Sequence, residues 1–412
     1  PPPPPPRSGG EGAGAGQGAP GARGGDEGAR AMAAPARPPS GAAARAAAAR
    51  LVAFGFDGAG EAPPAGALAL ARAGCGGVVL FGRNAEGPEQ VSRLCGALKE
   101  AAPGPLLTLV DQEGGRVARL PPPGYSAVPS ARDLGAGPRP ERAAGAAGAT
   151  IGRELRRSNI DVDLAPVVDV DTNPNNPVIG DRSFGPEPGL VGRCGAAFVR
   201  GLQGEGVGAC AKHFPGHGDT DLDSHFDFPV LRHGVERLEA VELPPFRAAV
   251  DAGVAAVLVA HVAVPALEAD GALRPASSSA AAVRCLREGL GFRGVVMTDD
   301  LEMAAVEQAH GGVAAAAVAG LRAGVDMFLV CHSERKQWET VDALAAAVES
   351  GAVSWERLLE AHGRVSELMR RFARPPRPPE TVRAWGAPGV RNQVMSLLQG
   401  KRVGGAGGRG ER

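Results

Sequence analysis

The chain has 412 residues, 44% hydrophobic and only 4% aromatic, which is enough apolar material for one large barrel or two ordinary domains. Its 44 basic and 45 acidic residues leave a formal net charge of -1, so it lacks the basic excess by which nucleic acid or an acidic membrane is bound. No apolar run reaches the length of a membrane span, and six scattered cysteines with no CxxC pair read as small buried hydrophobes in a reducing compartment rather than a disulfide framework.

The first segment, residues 1–47, is Pro-, Gly- and Ala-rich and is expected to be a disordered low-complexity tail. Its "GAGAGQG" has the look of a nucleotide loop, but no strand precedes it and no helix follows, so that reading is set aside. Residues 32–50 are Ala- and Arg-rich without acids, as in an organellar leader or in plain low complexity; no secretory signal pattern is visible, and a cytoplasmic location is expected.

From there to residue 373 the chain repeats one beat: a short apolar run that suits a parallel strand buried on both faces, then a longer amphipathic or Ala-rich stretch. The runs are "RLVAFGF" (50–56), "GGVVLFG" (76–82), "PLLTLVD" (105–111), "DVDLAPVVDV" (161–170), "VGACAKHF" (207–214), "AAVLVAHV" (255–262), "GVVMTDD" (294–300) and "VDMFLV" (325–330). Eight such units predict an α/β fold, a single (β/α)8 TIM-type barrel over 48–373, closed by the helix "SWERLLEAHGRVSELMRRF". Residues 374–412, with "ARPPRPP" and "VGGAGGRGER", read as a Pro/Gly-rich C-terminal tail in which "VRNQVMSLLQG" suits a short helix.

A barrel carries its chemistry at the C-terminal ends of its strands. Asp111 ends the third run, Lys212 and His213 the fifth, and Asp299 and Asp300 the seventh, while His261 stands near the end of the sixth. Charged groups at the same end of so many strands point to a shared site rather than a purely apolar core.

Each cluster has a plain reading and a chemical one. In "TDDLEM" one aspartate can cap the next helix while the other faces the mouth as a nucleophile or a stabiliser of a cationic transition state. In "VDQEGGRVARL" Asp111 can accept bonds from two neighbouring sugar hydroxyls, and the paired glycines allow a tight turn; the alternative is a charged surface loop. The polar stretch 166–185 offers Arg182 as a ligand contact. Residues 212–225, "KHFPGHGDTDLDSH", hold one lysine, three histidines and three aspartates. Their spacing fits no common zinc motif, and "DTDLDS" lacks the glycine and final glutamate of a calcium loop, so no metal is expected. What remains is a Lys–His pair ending a strand, then a glycine-bearing loop in which Asp223 orients His225 as a general acid/base. Gly216 and Gly218 are expected to let that loop swing.

"VDQEGGRVARL", "KHFPGHGDTDLDSH" and "TDDLEM", in this order and spacing, resemble family 3 glycoside hydrolases, and in particular the NagZ-like β-N-acetylhexosaminidases, over the whole expected barrel. The resemblance implies hydrolysis of terminal N-acetylglucosamine residues, from peptidoglycan fragments or chitooligosaccharides, with retention of configuration and no cofactor. It implies Asp299 as catalytic nucleophile, with Asp300 the second choice, and His225 with Asp223 as the acid/base pair. Asp111, Arg119, Arg182, Lys212 and His213 fall at sugar-contacting positions, and His261 and Met303 at the mouth. A neutral imidazole in place of the usual second carboxylate does not repel the nucleophile. Only one barrel is expected, as in the hexosaminidase branch rather than the two-domain β-glucosidases, and the protein is expected to be a monomer. Two other readings stand beside this one: a phosphorylase using the same His–Asp site, and an inactive carbohydrate-binding barrel.

Overall fold

A computed structural model describes residues 1–2, 41–220, 229–377 and, beyond these, Val394, Ser396 and Leu398. Its contacts divide the chain into Pro1–Ala36 and Arg37–Arg412, and the fold lies wholly in the second unit.

All eight apolar runs contain strands: β1 (Val52–Phe54), β2 (Gly77–Leu80), β3 (Leu107–Val110), β4 (Val162–Asp163), β5 (Gly208–Phe214), β6 (Ala256–Val259), β7 (Val295–Asp300) and β8 (Met327–Val330). Each pairs in parallel with its neighbours in sequence, and β1 returns to β8 through Val52↔Phe328, so the sheet is a closed (β/α)8 barrel. Closure leaves no edge, and helices cover the outside, which is why these strands are apolar on both faces. Between β2 and β3 the barrel interior is tight enough that a Cβ on Gly77 would lie 2.7 Å from Leu109 Cδ1.

The fourth run is only briefly a strand. After Asp163 the backbone leaves the ladder at Ala165-Pro166 and rejoins it through a single bridge from Val167 to Lys212. Proline has no N–H to give the ladder, so the run stays buried without extending the sheet. A hairpin of Gln112–Gly114 with Val117–Ala118 follows β3. Its turn uses Gly114 at φ +95° and Gly115 at φ +57°, conformations that disfavour a side chain.

The boundary expected at residue 47 falls inside a helix, Ala42–Ala49. This segment packs on helix Glu334–Glu349 with Ala44, Ala48 and Ala49 buried. Arg45 bonds Asp342 at 2.5 Å and lies 4.8 Å from the Trp338 ring centre, and Gly41 N–H donates to Glu349 at 2.6 Å. Alanine is the strongest helix former, and its small side chain allows a close approach, so a composition that reads as low complexity makes a packed helix. A chain starting at Gly41 is expected to melt with the full-length protein. One starting at Leu51 should melt roughly 5 °C or more lower, because each buried methyl is worth about 0.8 kcal/mol. Equal melting of the two truncations would show that the helix adds nothing.

The far boundary also shifts. Helix Trp355–Phe372 closes the barrel as expected, but the chain beyond it is held down. Arg377 N–H donates to Asn159 Oδ1 at 2.7 Å, and Lys99 Nζ, bonded to buried Asp161, also reaches the Arg374 carbonyl. Val394, helical and 4% exposed, joins the core cluster, so the tail expected from 374 includes packed residues.

Candidate active site

The C-terminal ends of the strands open into a cleft of about 630 Å³. Its lining includes Asp111, Arg119, Arg182, Lys212, His213, Asp299, Asp300 and Met303, which brings expected residues from the ends of four strands together. His261 stands just behind it. Asp223 and His225 lie outside the described residues.

Two buried frames organise the floor. The first joins β3 to β5. Lys212, 2% exposed, donates from Nζ to Asp111 Oδ1 at 2.6 Å and reaches Glu113 Oε1 at 2.7 Å. Glu113 in turn accepts both Nε (2.9 Å) and Nη2 (2.8 Å) of Arg182, the fork geometry that makes arginine–carboxylate pairs specific. Burial alone would raise the Glu113 carboxyl and lower the Lys212 ammonium. The facing charges reverse both, so Glu113 is held well below the usual carboxylate range and Lys212 above the usual amine range. Glu113, Lys212 and Arg182 are thus held charged out of bulk water, with donors left over for hydroxyl groups.

The second frame sits beneath His213. Asp169, 1% exposed, bonds His213 Nδ1 at 2.7 Å and accepts the His217 backbone N–H at 2.8 Å. Arg182 Nη2 lies 3.2 Å from His213 Nε2. Burial and neighbouring His213, against the attraction of Asp169, lower the His217 imidazole to about 4. His217 is therefore neutral when folded. Between about pH 4 and 6.5 the unfolded chain binds a proton here that the folded chain does not, so stability rises with pH across that window, by on the order of 3 kcal/mol at most. His217→Gln is expected to make the curve shallower, read as urea midpoints from about pH 4.5 to about pH 7. An unchanged slope would show that the ring titrates alike in both states.

The adjacent carboxylates at the end of β7 have different surroundings. Asp300 is tied down: its Oδ1 accepts the Cys331 and Glu302 N–H groups, each at 3.2 Å, and its Oδ2 meets His332 Nε2 at 3.1 Å. Among the described residues, Asp299 accepts the Asp300 N–H, at 2.8 Å, and it faces the cleft. Burial would raise its carboxyl, but the nearby His213 and His261 rings and the Asp300 amide together bring it below its ordinary value. Asp299 is thus ionised and, among the described residues, lacks a cationic partner in direct contact. His261 braces the turn, with Nδ1 2.8 Å from Ser277 Oγ and Nε2–H donating to the Asp300 carbonyl at 3.1 Å.

Met303 starts the helix after β7 and lines the rim, and Arg119 approaches Asp111 no nearer than 3.9 Å. Gly216 and Gly218 do not act as hinges. Both are buried: a Cβ on Gly218 would lie 1.9 Å from the Val170 carbonyl oxygen, and one on Gly216 would strike Glu242. Gly218 permits close packing of the strand-five loop against the strand-four loop, and Gly216 against the helical segment Leu238–Glu242. Two functional groups had no assigned role in the sequence: Glu113, visible inside "VDQEGG", and Asp169, visible as the charge that breaks "PVVDVD". Both act on residues dozens of positions away.

Residues 64–368 match the glycosyl hydrolase family 3 N-terminal domain. A protein named beta-hexosaminidase from Xylella fastidiosa (strain M23) is 40% identical over 314 residues, covering 72% of this chain and 91% of that one. Among solved structures, a glycoside hydrolase family 3 β-N-acetylglucosaminidase from Paenibacillus sp. str. FPU-7 matches with TM-score 0.78 at 40% identity, over 86% of this chain and 68% of that chain. NagZ from Neisseria gonorrhoeae, solved in complex with N-trifluoroacetyl-D-glucosamine, matches with TM-score 0.67 at 30% identity, over 89% of this chain and 99% of that chain.

Proposed function

Because this chain belongs to glycoside hydrolase family 3, we propose that it is a retaining β-N-acetylhexosaminidase that removes terminal non-reducing N-acetylglucosamine from peptidoglycan fragments or chitooligosaccharides. The observation that carries the reading is the contrast at the end of β7. One half-buried carboxylate faces the cleft with no cation among the described residues in contact, and the next is committed to backbone amides and a histidine. A nucleophile must be ionised, unencumbered and accessible to the anomeric carbon, and Asp299 meets all three conditions.

In this mechanism Asp111, Lys212, Arg182 and His213 hold the sugar hydroxyls, with Arg119 closing over them. Their positions are set by Glu113 and Asp169, so the sugar binds to a frame that is already rigid. Asp299 attacks the anomeric carbon as the glycosidic bond breaks, and His225, oriented by Asp223, gives its proton to the leaving oxygen. A covalent glycosyl–enzyme results. Neutral His225 then takes a proton from water, which displaces Asp299 and releases the sugar with its configuration retained.

The test is a product assay on chitobiose and on disaccharide-peptides from peptidoglycan, with and without phosphate. Free N-acetylglucosamine in both buffers supports hydrolysis. A sugar 1-phosphate formed only with phosphate would make the enzyme a phosphorylase. No turnover even of an aryl N-acetylglucosaminide would leave the carbohydrate-binding reading.

A further inference from the structure

The chain on either side of Asp223 and His225 is anchored, and one side-chain pair joins the two anchors. On the near side Asn176 Nδ2 donates to the His217 carbonyl at 2.7 Å and Asn173 Nδ2 to the Thr220 carbonyl at 3.4 Å, which fastens the chain up to Thr220 to the loop after β4. On the far side Leu231 N–H donates to the Ala263 carbonyl at 2.8 Å and Ala263 N–H to the Pro229 carbonyl at 3.0 Å, which fastens the returning chain to the segment after β6. Asp219 Oδ2 pairs with His233 Nε2, 14 positions further on, and so ties one anchor to the other.

The pair is backed from behind. Thr172 Oγ1 donates to Asp219 Oδ1 at 2.8 Å. Arg237 donates from Nη2 to Thr172 Oγ1 at 3.1 Å and from Nε to Glu242 Oε1 at 3.3 Å. Glu242 packs against Gly216, so the network leaves the loop after β5 at Asp219 and returns to it at Gly216. Burial would raise the Asp219 carboxyl, but hydrogen bonds from His233 and Thr172 bring it below its ordinary value. Neither Asp219 nor His233 lines the cleft, and the His233 side chain is about one-third exposed. An ion pair so placed adds little to the stability of the whole fold. Its effect is local: it fixes the separation of two points on the chain.

We propose that Asp219 and His233 are positioning residues for proton transfer, and that by fixing how far apart the two ends of the intervening chain lie they place the His225 imidazole at the leaving oxygen. This inference rests on reading His225 as the general acid. Releasing one end of a loop multiplies the positions open to its middle, and a misplacement of about 1 Å can cost roughly 10²-fold in a step that needs a hydrogen bond in line. The nucleophile and the Lys212–Asp111–Glu113–Arg182 frame make no hydrogen bond to the pair, so the loss falls on protonation alone.

The experiment measures, on the full chain, turnover of chitobiose and the rate of glycosyl–enzyme formation from a dinitrophenyl N-acetylglucosaminide. His233→Ala and Asp219→Ala are each expected to slow chitobiose roughly tenfold or more while leaving the dinitrophenyl step within about twofold. The double variant should be no slower than either single one, since both remove the same pair. His233→Gln, which keeps a donor to Asp219, should recover most of the chitobiose rate. Equal slowing of both substrates, with or without a lower melting temperature, would mean that the pair only holds the fold and would overturn the proposal. Unchanged chitobiose turnover, or losses that multiply in the double variant, would overturn it too. His225→Ala separates this failure from that of the underlying reading. A leaving-group difference in His225→Ala but not in His233→Ala sinks the positioning role and leaves the general acid standing. No difference in His225→Ala removes the acid itself, and the proposal with it.

Discussion

Asp299→Asn is expected to abolish turnover of every β-N-acetylglucosaminide, by about 10⁴–10⁶-fold, the scale on which an essential covalent group matters. Binding of the sugar should survive. Asparagine keeps the oxygen that accepts the Asp300 N–H at 2.8 Å, and the Lys212–Asp111–Glu113–Arg182 frame does not depend on Asp299 for a hydrogen bond. The variant should therefore fold, bind N-acetylglucosamine within a fewfold of wild type, and fail only in chemistry. Asp300→Asn is the control. It weakens the pair with His332 and the bonds to Cys331 and Glu302, which alters the wall of the cleft rather than the attacking atom. A mechanism-based fluoro-sugar inactivator should label a peptide at Asp299. Label on Asp300, or full activity in Asp299→Asn, would reverse the roles given to the two.

His225→Ala should reveal its effect through the leaving group. An alkoxide departing from a sugar needs a proton, whereas a dinitrophenolate scarcely does. Turnover of a disaccharide is expected to fall about 10²–10⁴-fold, the range of general acid catalysis, while formation of the glycosyl–enzyme from a dinitrophenyl substrate slows far less. Asp223→Ala should act in the same direction. His217→Gln should not, because burial lowers the His217 imidazole to about 4, so it carries no proton to give near neutral pH, and it is held beside Thr220 at 2.7 Å, within the Asp169 frame. Equal slowing of both substrates in His225→Ala would mean that the residue positions substrate and moves no proton.

The barrel was legible in the chain because its strands are buried on both faces. Burial on both faces makes each strand a continuous apolar run, and the parallel fold puts a helix after each one. For the same reason the charged residues that end "PLLTLVD", "GACAKHF" and "GVVMTDD" fell at one mouth: a parallel barrel places all its C-terminal ends together, whatever their separation in sequence. Residue type and order alone therefore located the cleft and supplied its members. They also misled in places. An alanine-rich helix at Ala42–Ala49 looks like filler until its partner helix Glu334–Glu349 is present, and Gly216 and Gly218 look like hinges until Glu242 and Val170 are seen against them. What only the tertiary structure decided is which charge answers which. Glu113 meets Arg182 across 69 positions, and Asp169 meets His213 across 44. Asp299 and Asp300 are equivalent as letters and differ because His332 and the Cys331 amide lie on one side of β7. An ionised carboxylate in a protein is defined by the groups within a few ångströms of it, and in a closed barrel those groups come from other strands, so no local pattern in the chain records them.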